Sequence, residues 1–122
     1  MEQGGTNRAT LRALVWIQGE SDCGQGQAAY EQRFGEFIRQ LRLDLRQTNL
    51  LVLAGFNTSF RGNTAGIVRA QQAVAARDQR VRYVETGGAV LAKPAPTAHF
   101  NAAGTLEVGG RFARAYLPPV EK

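Results

Sequence analysis

Residues 50–56, Leu-Leu-Val-Leu-Ala-Gly-Phe, are apolar at every position. A strand that shows one face to water alternates polar and apolar residues, whereas an unbroken run suits a strand covered on both faces. Such strands belong to parallel sheets flanked by helices, so this run narrows the chain to an α/β fold. Its neighbours agree. Residues 11–17, Leu-Arg-Ala-Leu-Val-Trp-Ile, read as a buried first strand. Residues 81–85, Val-Arg-Tyr-Val-Glu, alternate and read as a less buried third.

The intervening segments are helical in pattern. Residues 27–47 carry Tyr30, Phe34, Phe37, Ile38, Leu41 and Leu45 at spacings of three and four. Gly35 weakens that helix by ~1 kcal/mol relative to Ala and leaves room for close packing on the sheet. Asn63 or Thr64 caps a second helix ending near Arg77, with Ile67, Gln71 and Val74 on one face. A Gly- and Pro-rich loop, 86–98, follows. Asn101 then caps a last helix through Tyr116, with Leu106, Gly109, Ala113 and Tyr116 or Leu117 expected inward, and Pro118-Pro119 stops it.

Strand and helix in alternation predict one parallel sheet with right-handed crossovers. The chain reads as a single domain, 1–122, whose first ten residues are a variable segment. Three strands leave at least one edge with unpaired backbone groups. Either a further strand within residues 1–10 covers that edge, or the protein is a homodimer through it.

The 122 residues suffice for one domain and a modest core. No apolar run approaches the ~20 residues that span a bilayer, so no membrane association is expected. Residues 1–10 lack the apolar stretch of a secretory signal, which points to the cytoplasm. Cys23 is the only cysteine and His99 the only histidine, so neither an internal disulfide nor a Cys/His zinc site is available. No acidic cluster suggests another metal site, and no cofactor is expected. A net charge of +5 permits nucleic-acid binding. The arginines are scattered and not interleaved with aromatics, however, so a solvated basic surface is the plainer reading and nucleic acid is not the expected partner.

The chemistry gathers at the end of the first strand. Residues 16–22, Trp-Ile-Gln-Gly-Glu-Ser-Asp, set a carboxylate, a hydroxyl and bare backbone at the carboxyl end of the sheet, where open α/β sheets bind ligands. His99 precedes the last helix at that same end and is the one residue that could act as a histidine general base. Glu20 or Asp22 can orient it. Equally, Asp22 can cap a turn and Glu20 can pair with an arginine. Three side chains compete as nucleophile. Ser21 stands in Gly19-x-Ser21-x-x-Gly24, one residue too long for a nucleophile elbow. Ser59 lies in a polar loop after the second strand, and Cys23 is a lone thiol of a kind usually inert.

Residues 16–22 resemble the W-x-Q-G-E-x-D block of the sialate O-acetylesterase and acetyl-xylan esterase-like proteins, carbohydrate esterase family six of the SGNH hydrolase superfamily. Further similarities follow in the family's order, over roughly residues 11–117. They are Tyr30…Phe34…Phe37-Ile38…Leu41-Arg42, then Val68-Arg69-Ala70-Gln71-Gln72, then His99-Phe100-Asn101…Gly104…Gly109-Gly110-Arg111-Phe112-Ala113, similar to an H-F…G…L-G-x-R-x-A ending. The resemblance implies a three-layer α/β/α fold, here a truncated SGNH-hydrolase-like (flavodoxin-like) parallel sheet of about three strands with flanking helices. It also implies removal of O-acetyl groups from sugars by a serine nucleophile with histidine as general base. Carried over position by position, Gly19 is the oxyanion-hole glycine, a donor worth about 3–4 kcal/mol in the transition state. Glu20 is the block's acid and His99 the base, while Gln18, Ser21 and Asp22 fall at substrate-binding positions.

Two departures stand out. The family's G-Q-S-N-like serine block precedes these elements, where residues 1–8 read Met-Glu-Gln-Gly-Gly-Thr-Asn-Arg. The Asp often found three residues before the histidine is Pro96 here. Three readings stay open. The first is a truncated carbohydrate O-acetylesterase-like protein with weak or no activity of its own, either a remnant that folds as a homodimer or a binding module for acetylated carbohydrate. The second is an active esterase whose nucleophile is Ser21, Ser59, Cys23, a water on His99 or a group from a partner chain. The third is a small basic module that binds nucleic acid or acetylated sugar.

Overall fold

The computed structural model describes residues 9–59, 64–94 and 97–118. Three parallel strands form one sheet in the order β1-β2-β3: β1 is Ala13–Ile17, β2 is Leu51–Gly55 and β3 is Val81–Tyr83. The register runs from Ala13 opposite Leu51 to Ile17 opposite Gly55, and from Val52 opposite Val81 to Ala54 opposite Tyr83. Two crossover helices, α1 (Gln27–Asp44) and α2 (Thr64–Arg77), cover one face. The last helix, α3 (Ala102–Tyr116), covers part of the other. The α/β architecture expected from the alternating pattern is therefore the one observed.

β2 is the central strand, and all five of its residues are buried, as its unbroken apolar run requires. Val52, Ala54 and the following Phe56 point to α1 and α2, where Tyr30, Phe34, Ile38, Ile67 and Val74 meet them. Leu51 and Leu53 point the other way, to Val108 and Phe112 of α3.

Several expectations need correction. β1 is not a buried strand: it is an edge, with Val15 54% and Ile17 44% exposed, because α3 leaves that end of its face uncovered. α1 stops at Asp44, three residues early, with Leu45 exposed and not part of the buried stripe. Gly35 faces the Arg77 side chain of α2, not the sheet. The inward face of α3 is Gly104, Val108 and Phe112, while Leu106 is 78% exposed and Tyr116 and Leu117 are exposed too. Both sets have helical spacing, so periodicity could not choose between them. The choice is made by Gly104, where a Cβ would run into the backbone of Val90; only glycine lets the start of α3 lie this close. Asn101 caps α3 as expected, accepting from the Gly104 amide at 2.8 Å. The proposed strand in residues 1–10 falls almost wholly outside the described residues, as do the Asn63 cap and Pro119.

At the opposite end of the sheet from β1's motif, Arg42 ties three elements together. It donates to the Leu50 carbonyl through Nε (3.1 Å) and Nη2 (2.9 Å), and to Asp78 Oδ2 at 2.7 Å. Burial pushes the Asp78 carboxyl up, but hydrogen bonding by Arg42 and the Arg80 amide, with their charges, outweighs it and the net shift is downward. A carboxyl lowered in the folded state stabilises above its unfolded value, and that contribution is lost as pH falls through the folded one. Arg42→Met should therefore cost about 1.5–3 kcal/mol at neutral pH. Thermal melts below about pH 4 should show the variant losing less further stability than the wild type. Parallel acid limbs for the two proteins would show that Arg42 does not hold this carboxylate.

Candidate active site at the carboxyl end of the sheet

After β1 ends, the Gln18 amide makes one more bond to the Gly55 carbonyl, at 3.1 Å. Gly19 then turns with φ +155°, and a Cβ on it would lie 2.7 Å from Ile67 and 3.2 Å from the Phe56 ring. Glycine alone fits this buried turn, which enters a short 3-10 helix, Glu20–Gln25. The Gly19 carbonyl accepts from the Asp22 amide (3.0 Å) and from Cys23 Sγ (3.5 Å). Its amide has no acceptor among the described residues.

The 3-10 turn sends the motif's side chains in two directions. Glu20 reaches across to β2, where Oε2 accepts the Asn57 amide at 3.0 Å. Gln18 and Asp22 turn toward α1 instead. Asp22 accepts from Gln18 Nε2 and from Gln25 Nε2, both at 2.6 Å. Tyr30 donates its hydroxyl to the Gln18 carbonyl at 3.2 Å. The fully buried Gln71 donates Nε2 to the same carbonyl at 3.2 Å. Ser21 is exposed on the turn between these two groups. Of the residues singled out in this motif, only Glu20 and Gly19 face the β2 side; Gln18 and Asp22 are occupied in bracing the turn.

Asn57 joins this turn to the histidine loop. It is 1% exposed at the end of β2, and its amide and both polar atoms of its side chain are engaged. Its amide meets Glu20, its Nδ2 donates to the Ala98 carbonyl at 3.1 Å, and its Oδ1 accepts the Ser59 amide at 2.9 Å. Thr86, also buried, donates to the Phe56 carbonyl and accepts the Thr58 amide, tying β2's end to the loop after β3. His99 follows Ala98 directly and is exposed. Its amide donates to Thr97 Oγ1 (3.1 Å), its carbonyl accepts from Ala92 (2.9 Å), and an antiparallel bridge pairs Leu91 with Phe100 beside it. No hydrogen bond or ion pair joins Glu20 to His99 themselves; the connection runs through Asn57 and Ala98. Sequence reasoning passed over Asn57. The signal was there: a polar residue immediately after an all-apolar central strand must satisfy its groups in the core.

The three nucleophile candidates fare differently. Cys23 is buried, and burial first, then the charges of Glu20 and Asp22, push its thiol up. That is the opposite of the electropositive setting that makes a reactive thiolate. Ser21 and Ser59 are exposed, and no hydrogen bond from either hydroxyl to His99 exists among the described residues. No three His, Cys, Asp or Glu side chains among the described residues group as metal ligands.

Against known proteins, the family model described as carbohydrate esterase, sialic acid-specific acetylesterase, matches residues 1–118. No curated protein and no solved structure matches the chain.

Proposed function

The chain belongs to the carbohydrate esterase family of sialic acid-specific acetylesterases, and from this membership and the site geometry we propose that it binds O-acetylated carbohydrate with little hydrolysis of its own. The observation that carries the reading is the division at Asn57. One buried side chain and its amide hold Glu20 on one side and the His99 segment on the other, while no serine hydroxyl is bonded to that histidine. The Gly19 amide, without an acceptor among the described residues, supports a role as donor to the ester carbonyl oxygen. Glu20, next in the chain, supplies a carboxylate; His99, whose segment is linked to Glu20 through Asn57, supplies a base; and Ser21 lies exposed at the turn. Without an activated serine, hydrolysis falls to water: His99 accepts a proton as the water oxygen bonds to the acetyl carbon, then returns it to the sugar oxygen as the acyl C–O bond breaks, releasing the sugar alcohol and acetic acid, which ionises to acetate.

Loss of a triad member typically leaves only the residual catalysis of oxyanion hole and binding, about 10³–10⁴ over water. The expected result with an activated acetyl ester is slow steady turnover with no burst, and a further fall in His99→Ala. With O-acetyl sialic acid, amide resonances of residues 19–21 and 98–100 should shift on titration. A stoichiometric burst abolished by Ser59→Ala would instead establish a covalent serine mechanism and overturn this reading. Wild type and His99→Ala turning over equally would remove the histidine from the reaction.

A further inference from the structure

The open edge of β1 is self-complementary. Because Gln18 sends its amide to Gly55 of β2, the strand period aims the backbone groups of Leu14 and Trp16 at β2 and those of Ala13, Val15 and Ile17 outward. Side chains divide with the same period. Leu14 and Trp16 pack toward α1 and α2, Ala13 packs on the α3 side, and Val15 and Ile17 emerge on that side into solvent. Natural edges are blunted by lysine, proline, bulges or inward charges. β1 has none of these, and the only charge between residues 9 and 19 is Arg12.

Two charges beside this edge are unmatched among the described residues. Arg12 is exposed and makes no ion pair or hydrogen bond among the described residues. Among the described residues the Asp22 carboxylate accepts from the amide side chains of Gln18 and Gln25 and forms no ion pair.

We propose that β1 pairs antiparallel with β1 of a second copy, about a two-fold axis at Val15, to make a continuous six-stranded sheet. This register is the one that uses all five strand residues. Ala13 faces the partner's Ile17, and Val15 faces the partner's Val15, as hydrogen-bonded pairs that close every outward amide and carbonyl. On the opposite face Leu14 meets the partner's Trp16, and Arg12 meets the partner's Gln18, with Cβ atoms about 4.5–5.5 Å apart. Gln18 holds Asp22, so the Arg12 guanidinium reaches the partner's Asp22. The symmetry makes this pair twice, and the two unmatched charges of each chain are matched across the axis. The two Arg12 side chains lie about 20 Å apart along the paired strands, beyond mutual repulsion at physiological salt. The proposal stands independently of the acetyl-ester reading.

Sedimentation equilibrium of the full chain, over micromolar to millimolar concentrations, tests it. The wild type should be a dimer. Arg12→Glu and Asp22→Arg should each weaken association by about tenfold or more, as for a broken interfacial charge pair. The double variant Arg12→Glu/Asp22→Arg should regain most of the loss. Val15→Pro removes only an outward donor, and once circular dichroism shows it folded, it should be monomeric. A wild type that stays monomeric throughout overturns the proposal. So does a dimer that Val15→Pro leaves intact, and single charge variants of unchanged affinity overturn the register.

Discussion

Phe56→Ala should lower the unfolding free energy by about 3–5 kcal/mol, the usual cost of emptying a fully buried phenylalanine site. Against a total of ~5–15 kcal/mol for a domain of this kind, that is a large share of the stability. The ring is 0% exposed and sits where β2 ends, within the cluster that also holds Cys23, Ile67 and Val74. It lies directly beneath the Gly19 turn, so its loss removes the floor under the site as well as core volume. Urea denaturation measures the cost, and Phe56→Leu is the control. The leucine variant keeps most of the volume and should lose less than about 1.5 kcal/mol. A loss below about 1 kcal/mol for the alanine variant would mean that the ring is not packed as described.

Asn57→Ala should cost about 2–4 kcal/mol and should release the histidine loop while leaving Glu20 in place. The variant forfeits the bonds to the Ala98 carbonyl and the Ser59 amide. Each is worth about 0.5–1.5 kcal/mol, and a buried group left unsatisfied adds about 1–3. The amide that Glu20 accepts belongs to the backbone and survives the substitution. Hydrogen exchange therefore gives a directional test. Protection at residues 97–100 should fall by more than protection at residues 20–23. Equal changes at both places would show that Asn57 stabilises the domain generally and does not position the His99 segment.

The contrast between these two residues shows how much of the site could be read in advance. Phe56 closes an apolar run, so its burial follows from composition along a strand. Asn57 has the same backbone neighbourhood, but its importance depends on which carbonyl happens to approach from a loop forty-one residues further on. Glu20 and His99 were legible as candidates because an acid after a strand and a lone histidine before a helix both fall at the carboxyl end of a parallel sheet. That they meet at a third residue and not directly was not legible. Likewise the 16–22 motif reads as one unit in sequence. In space the 3-10 turn splits it, with Glu20 toward β2 and Gln18 and Asp22 toward α1.

By itself the sequence determined the fold class, the burial of residues 50–56 on both faces, the cap at Asn101 and the family, because each rests on local periodicity or on residues adjacent in the chain. Tertiary structure alone decided which stripe of α3 is buried, that β1 is an open edge, and where the polar groups at the ends of β1 and β2 find partners. A helical pattern gives the same spacing on two faces, and a strand looks the same whether or not it has a neighbour. Only long-range packing, such as the approach of Gly104 to Val90 or the exposure of Val15 on a strand with one described neighbour, breaks those degeneracies.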